Sequence, residues 1–326
     1  MRVPGVPTAL IAAAALALPA AGCGSSEDQA GTAARVPESR PQDFPAPGGR
    51  TLAEVARGVP VGPQIAPSVS VLEPGAGNRF GFALFDRAGK QMRGASVALY
   101  VAPAAGGPAR GPFAVRDESL AVRPQFASRQ TAQDPDSAKS VYVARLPFPA
   151  RGAHAVLALA RLDGRLVASP PLSVAVGRPG PPDVGDQAVR ISTPVASEVN
   201  DIADIDTRIP PDTMHDVDFA EALGRRPVVL AFATPQLCQS RVCGPVVDEL
   251  EQIKSEVGGD AAFVHMEIYR DNRLEAGFLP QVAAWRLPSE PWVFMIDRRG
   301  RIAARFEGAA SVAELRRGLE RAVAGA

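Results

Sequence analysis

The sequence lacks a net charge, a transmembrane segment and a rich supply of aromatic residues. Lys and Arg number 35 and are matched by 35 Asp and Glu, so the overall charge does not indicate a nucleic acid or an anionic membrane surface as partner. No stretch reaches the ~20 apolar residues that a membrane-spanning helix needs. Aromatic residues make up only 6% of the chain, although a hydrophobic total of 46% is ordinary for a globular protein. The length of 326 residues allows two domains of ordinary size.

The N-terminus has the pattern of an export signal. A basic residue follows Met1, residues 9–18 form a short apolar run, and small residues then lead to Cys23. The run is too short to span a bilayer and fits a secretory signal peptide over residues 1–22. Its small-residue ending resembles a bacterial lipobox, which implies that Cys23 is lipidated and becomes the mature N-terminus. The alternative is an ordinary signal peptide with an incidental cysteine. We therefore expect an exported protein, lipid-anchored to the outer face of the cytoplasmic membrane in the cell envelope.

Only three cysteines occur in the chain, and the lipobox would use one of them. The other two, Cys238 and Cys243, lie five residues apart in a compartment where disulfides form and persist. These two residues are therefore the candidates for redox chemistry or for a structural disulfide.

Composition divides the rest of the chain into four parts. Residues 23–60 are rich in Ser, Ala, Pro, Gly and charged residues without apolar periodicity, which predicts a flexible tether. Residues 61–178 contain about six short alternating segments and a strong hairpin signal at Asp163-Gly164, which predict a β-sandwich domain. An immunoglobulin-like sandwich is expected from pattern alone, because the internal cysteine pair of antibody domains is missing. The remaining parts are an extended linker over residues 179–211 and a second domain over residues 212–326.

The pattern in the second domain changes to alternating helices and strands. Residues 227–233 form a continuous apolar run that is typical of a buried strand. Ser311 is a suitable N-cap for an amphipathic terminal helix over residues 312–323. The predicted order is α-β-α-β-α-β-β-α, which places this domain in the α/β class.

Two segments of this domain resemble thioredoxin-like proteins. The stretch Phe232-Ala233-Thr234-Pro235-Gln236-Leu237-Cys238 resembles their strand and active-site region, and residues 291–302 resemble the element that carries their cis-proline. The element order is also that of the thioredoxin fold. The domain is similar to thioredoxin-like domains of bacterial lipoproteins related to the membrane-anchored, TlpA-type disulfide reductases. This resemblance implies that Pro291 is the cis-proline facing the cysteines, and that the backbone of Glu290 pairs with an incoming peptide or thiol partner.

The residues before the cysteine pair predict how it would react. Thr234 and Pro235 have the types favoured at the N-cap and first position of a helix, which would put Cys238 within the first turn. A helix N-terminus stabilises a thiolate and lowers the thiol pKa, and Arg241 would assist if its side chain folded back. We therefore expect Cys238 to be the nucleophile and Cys243 the resolving or partner thiol.

The spacing of the pair departs from the usual Trp-Cys-x-x-Cys motif, because four residues separate the cysteines and Leu237 replaces the tryptophan. In one unbroken helix their Cα atoms would lie roughly 8 Å or more apart, whereas a disulfide needs less than about 7 Å. Either residues 239–242 form a loop and the helix starts near Gly244-Pro245, or bond formation requires local unwinding. The first arrangement favours a stable structural bridge, and the second favours a switching redox pair.

These features predict a thiol–disulfide oxidoreductase that uses neither a metal nor an organic cofactor and acts on a thiol or disulfide protein, or a small thiol, in the cell envelope. One alternative is a non-catalytic thioredoxin-like scaffold with a structural disulfide. Another is a peroxiredoxin-like thiol peroxidase, since Thr234-Pro235 followed by Cys238 and Cys243 resembles that family. A third, a copper chaperone of the Sco type, would use His265 but needs a different cysteine spacing.

Overall fold

A computed structural model of the chain describes Met1 and residues 39–325. The rest of the predicted signal peptide, the predicted lipidation site Cys23 and the first part of the predicted tether lie outside the described residues. Within residues 39–325, no helix has both the length and the apolar composition needed to cross a membrane.

The N-terminal part is a nine-stranded antiparallel sheet whose two halves share one strand and pack on each other, and we call it the sandwich. Its strands are β1 (Gln64–Pro67), β2 (Gly75–Phe85), β3 (Gln91–Met92), β4 (Ser96–Pro103), β5 (Arg110–Ser119), β6 (Ser140–Phe148), β7 (Gly152–Leu162), β8 (Arg165–Ala168) and β9 (Leu172–Val176). The first half of β5 pairs with β4, and its second half pairs with β6. Alternate apolar side chains, such as Phe80, Phe82 and Leu84, fill the space between the sheets. The predicted all-β part is therefore present, whereas its immunoglobulin-like character stays a prediction.

Local signals explain which strands of the sandwich were predictable. The hairpin expected at Asp163-Gly164 joins β7 to β8, with Leu162 opposite Arg165. Strand β5 was not predicted, because Val115 is its only fully buried residue and its alternation is weak. The connection between β5 and β6 carries a short helix, α2 (Arg129–Gln133), that was also not predicted.

The predicted flexible tether over residues 23–60 is wrong for its described portion. Residues 39–60 contain the helix α1 (Leu52–Val55), which begins with a capping box between Thr51 and Glu54. Phe44, Leu52 and Val55 are buried against apolar residues of β4 and β7. These few apolar residues are too widely spaced to give a periodic pattern, and their burial depends on the sandwich.

The C-terminal part is a mixed four-stranded sheet with helices. Its elements are α3 (Phe219–Ala222), β10 (Val228–Phe232), α4 (Cys243–Val257), β11 (Ala262–Met266), α5 (Pro280–Ala284), β12 (Trp292–Ile296), β13 (Ile302–Glu307) and α6 (Val312–Ala324). The sheet order is β11-β10-β12-β13; β10 and β11 are parallel, while β12 and β13 follow in antiparallel pairing. Ser311 caps α6 by accepting a hydrogen bond from the Glu314 amide, as predicted. The element order is the predicted one, and this part is a thioredoxin-like domain.

The predicted linker over residues 179–211 is ordered and begins along the sheet edge. Gly185 and Ala188 donate backbone hydrogen bonds to Ile302 and Gly300, and Ile302 donates to Asp186. The segment therefore extends the edge of the sheet beside β13, which covers backbone groups that would otherwise stay unpaired.

Buried ion pairs and hydrogen bonds join the sandwich to the thioredoxin-like domain. Arg79 of β2 pairs with Glu314 of α6 at 2.7 Å, and both side chains are largely buried. The Glu307 carboxylate accepts hydrogen bonds from the backbone amides of Ser70 and Val71 at 2.8 and 3.0 Å. The two parts belong to one compact unit, so residues of the sandwich have defined positions around the cysteine pair.

Candidate functional site

Cys238 and Cys243 form a disulfide with a Cα–Cα distance of 6.0 Å. Residues 239–242 are not helical, and α4 begins at Cys243. Of the two arrangements that the spacing allowed, the structure therefore shows the loop, and we call residues 234–242 the cysteine loop. Cys238 is partly exposed, whereas the side chain of Cys243 is fully buried in the core of the domain.

The expectation that Thr234 and Pro235 begin the helix is wrong. The amides of Leu237 and Cys238 both donate to the Thr234 carbonyl, which forms an isolated turn. Arg241 then adopts a left-handed conformation with φ of 57°, which a continuous right-handed helix does not allow. Cys243 is consequently the first residue of the helix, and Cys238 belongs to the segment before it.

The sulfur of Cys238 lies close to two hydrogen-bond donors. The backbone amide of Cys243 donates to Cys238 Sγ at 3.3 Å, and the Ser240 hydroxyl lies 3.2 Å from the same atom. Both groups would stabilise negative charge on Cys238 after the disulfide opens. Ser240 was not predicted, because its only sequence signal is its position inside the cysteine loop.

A carboxyl group lies beside the buried sulfur. Glu290 Oε2 is 3.6 Å from Cys243 Sγ, and the Tyr269 hydroxyl donates to Glu290 Oε1 at 3.3 Å. Burial raises the pKa of Glu290 to about 7, with a further rise from Glu267 and an opposing effect from the Tyr269 hydrogen bond. Burial also raises the pKa of Tyr269, so its hydroxyl keeps its proton. Glu290 can therefore exchange a proton near neutral pH.

The other predicted residues support this arrangement. The peptide bond between Glu290 and Pro291 is cis, and the Pro291 carbonyl accepts a hydrogen bond from Gly308 at 2.9 Å. The buried Thr234 hydroxyl accepts from the Ile268 amide at 3.1 Å, which ties the start of the cysteine loop to the end of β11. The sequence resemblance indicated Glu290 for its backbone; the role of its side chain emerges only from the structure.

Arg241 is engaged by the sandwich and not by a cysteine sulfur. Its guanidinium contacts Asp134 at 2.6 Å, and its carbonyl accepts a hydrogen bond from the Ala138 amide at 3.2 Å. Asp134 and Ala138 lie in the connection between β5 and β6. This connection holds the left-handed turn of the cysteine loop in place.

The same connection forms one wall of a cleft beside Cys238. The cleft has a volume of about 710 Å³, and its walls include Gln130, Thr131 and Asp134 on one side and Pro235, Gln236 and Cys238 on the other. A partner approaching Cys238 would therefore contact both domains. The sequence showed no chemistry in the sandwich, and its contribution to this cleft depends entirely on tertiary packing.

A copper site of the Sco type would need a ring nitrogen of His265 beside the cysteine sulfurs, but other groups engage both nitrogens. One ring nitrogen is 2.7 Å from the Asp212 carboxylate and the other is 3.0 Å from the Ala233 carbonyl. Both nitrogens therefore have partners other than the cysteine sulfurs.

No protein-family model and no curated protein matches this chain. Among solved structures, it is similar to a thiol:disulfide interchange protein DsbE from Chlorobium tepidum, at 16% identity and a TM-score of 0.32, over 43% of this chain and 98% of the other. A thioredoxin-family thiol:disulfide interchange protein from Chlorobium tepidum TLS is similar at 15% identity and a TM-score of 0.30, over 45% and 98%. The strand order β11-β10-β12-β13 and the strand directions of this domain are those of a thioredoxin-like fold.

Proposed function

We propose that this protein is a thiol–disulfide oxidoreductase of the cell envelope, anchored through lipid on Cys23 and working through Cys238 and Cys243. The observation that carries the proposal is the asymmetry of the disulfide. One sulfur faces a cleft that a partner can enter, and the other is buried beside a carboxyl group with a pKa of about 7. A sulfur that is attacked and a sulfur that leaves need these two different environments.

In the first step, a partner thiolate attacks Cys238 Sγ from the cleft. A bond forms between the partner sulfur and Cys238, the Cys238–Cys243 bond breaks, and the electron pair goes to Cys243 Sγ. The N-terminus of α4 stabilises this negative charge, and the protonated Glu290 carboxyl then supplies a proton to Cys243. The products are a mixed disulfide, a Cys243 thiol and a Glu290 carboxylate.

In the second step, another thiolate of the partner attacks the partner sulfur of the mixed disulfide. The partner becomes oxidised, and Cys238 leaves as a thiolate that accepts hydrogen bonds from the Cys243 amide and from Ser240. Two electrons have then passed from the partner to the cysteine pair. The reverse sequence begins with the Cys238 thiolate, and the Glu290 carboxylate removes the proton from Cys243 before it attacks.

A redox titration of the full chain against glutathione or dithiothreitol buffers tests this proposal. A potential above about −300 mV marks an exchangeable disulfide, whereas a lower value marks a structural one. Insulin reduction by the wild type and by Cys238→Ser is the second measurement. We expect activity in the wild type only. Equal activity in both proteins, or a potential in the structural range, would overturn the assignment.

The second candidate is a non-catalytic scaffold of the cell envelope with a structural disulfide. The loop conformation favours it, because the 6.0 Å Cα–Cα distance allows the bond without any unwinding of α4. On this alternative, reduction of the bond would lower stability, and partner binding would not change after Cys238→Ser.

A further inference from the structure

A buried cluster of two aspartates and two histidines lies next to the start of the cysteine loop. Its members are Asp206, Asp212, His215 and His265, and each is at most 7% exposed. One ligand-type atom from each residue lies within 4.8 Å of the others. Gln236, in the cysteine loop, donates its backbone amide to the hydroxyl of Thr207, the neighbour of Asp206. The proposed redox reaction uses none of these four side chains.

Three members of the cluster are held by hydrogen bonds. The ring nitrogens of His265 lie 2.7 Å from Asp212 Oδ2 and 3.0 Å from the Ala233 carbonyl. Both neighbours are acceptors, so both nitrogens carry protons and the ring is a cation. Asp206 Oδ2 accepts from the Asp212 amide at 2.6 Å, and Asp212 Oδ1 accepts from the Met214 amide at 2.8 Å.

His215 is different, because neither of its ring nitrogens has a hydrogen-bond partner among the residues that the structure describes. Its Nε2 points between two carboxylates, 3.5 Å from Asp212 Oδ1 and 3.7 Å from Asp206 Oδ2. These distances are too long for good hydrogen bonds. A buried imidazole without hydrogen-bond partners is costly in free energy, and a metal ion between Nε2 and the two carboxylate oxygens would give all three atoms a partner.

The size and charge of this triangle fit a small dication. In a tetrahedral zinc site with bonds of 2.0 to 2.2 Å, ligand atoms lie about 3.3–3.6 Å apart. The two separations from His215 Nε2 are close to that range. Each carboxylate oxygen has one lone pair engaged by a backbone amide and retains another for a metal. Two carboxylate oxygens and one imidazole nitrogen are also donor atoms that Zn²⁺ accepts in proteins.

We propose that Asp206, Asp212 and His215 bind a divalent transition metal, with Zn²⁺ as the expected ion, through Asp206 Oδ2, Asp212 Oδ1 and His215 Nε2. His265 contacts Asp212 Oδ2, the carboxylate oxygen that does not bind the metal. It thereby orients this ligand, as outer hydrogen-bond partners do at many metal sites. The metal would fix the segment 206–215 against β11 and thereby support the start of the cysteine loop.

Equilibrium dialysis with Zn²⁺ alone tests this site. The protein is the full chain with the Cys238–Cys243 disulfide intact and with Cys23→Ser, free of any histidine tag, so that no thiol or tag competes for zinc. We expect one Zn²⁺ per chain at micromolar concentration. His215→Gln should weaken binding at least tenfold. His154→Gln is the matched control, because His154 is also buried but lies in β7, with Nδ1 beside the Gly152 carbonyl.

A thermal melt of the same proteins gives an independent measurement. Zn²⁺ should raise the melting temperature of the wild type and of His154→Gln in a concentration-dependent way, and should not raise that of His215→Gln. Circular dichroism shows whether each variant is folded. The inference is overturned if the wild type binds no zinc, or if folded His215→Gln binds zinc as tightly as His154→Gln. If His215→Gln does not fold, Asp206→Asn takes its place in both measurements, because Asp206 Oδ2 is another of the three proposed ligand atoms.

Discussion

The Oε2 atom of Glu290 lies 3.6 Å from the sulfur of Cys243, although 47 residues separate them in the chain. Glu290 precedes the cis-proline Pro291, and Cys243 is the first residue of α4. This contact places a proton carrier beside the buried half of the disulfide.

Glu290→Gln should slow opening of the disulfide by dithiothreitol on the order of 100-fold below pH 7, because the amide cannot supply a proton to Cys243. The ratio of wild-type to variant rates should fall as pH rises through about 7, where Glu290 loses its proton. Because dithiothreitol ionises to the same extent in both reactions, its own pH dependence cancels in the ratio of the two rates at each pH. Glu275→Gln, an exposed substitution, serves as control and should leave the rate unchanged. A pH-independent ratio would contradict the proton-transfer role.

The same group should make stability depend on pH. In the folded protein the pKa of Glu290 is raised to about 7 from an ordinary 4.5. Between pH 4.5 and pH 7 the folded state therefore holds a proton that the unfolded state has lost. The wild-type free energy of unfolding should therefore lose about 3 kcal/mol from this group as pH rises from 4.5 to 7. Glu290→Gln should lack that loss. Urea unfolding of the oxidised proteins at pH 4.5 and pH 8 measures the difference, and parallel pH profiles would count against the raised pKa.

The two cysteines should differ in reactivity after reduction. Cys238 is partly exposed and lines the cleft, whereas Cys243 is fully buried. Iodoacetamide should therefore label Cys238 first, as measured by mass spectrometry of the digested protein.

Cys243→Ser should also accumulate a mixed disulfide with a thiol partner, because the second cysteine that resolves it is gone. Accumulation in Cys238→Ser instead would reverse the assigned roles.

The ion pair between Arg79 and Glu314 should stabilise the packing of the sandwich against the thioredoxin-like domain. Both side chains are at most 10% exposed, so Glu314→Ala leaves a buried guanidinium without its carboxylate. We expect a loss of about 3–5 kcal/mol in the free energy of unfolding. The exposed pair of Arg273 with Asp271 offers a control, and Arg273→Ala should cost about 0–1 kcal/mol. Similar costs for the two variants would show that the buried pair does not stabilise the interface.

Prediction from the sequence worked best for elements with a strong local pattern. The order of helices and strands in the thioredoxin-like domain and the hairpin at Asp163-Gly164 follow from short-range periodicity and turn residues. Strand β5 has a single fully buried residue, and residues 39–60 bury scattered apolar side chains, so neither carried a periodic signal. Thr234-Pro235 has the composition of a helix N-terminus, but α4 begins only at Cys243. The Thr234 carbonyl instead accepts hydrogen bonds from the Leu237 and Cys238 amides in an isolated turn.

The sequence by itself determined the class of each domain and the identity of the cysteine pair, because residue type and spacing carry that information locally. Only the tertiary structure decided the chemistry of the pair. The left-handed turn at Arg241 puts Cys243 at the helix N-terminus, and the sandwich residues Asp134 and Ala138 hold that turn. The approach of Glu290 to Cys243 likewise depends on the packing of β12 beside β10. Such contacts join residues far apart in the chain, and no local pattern encodes them.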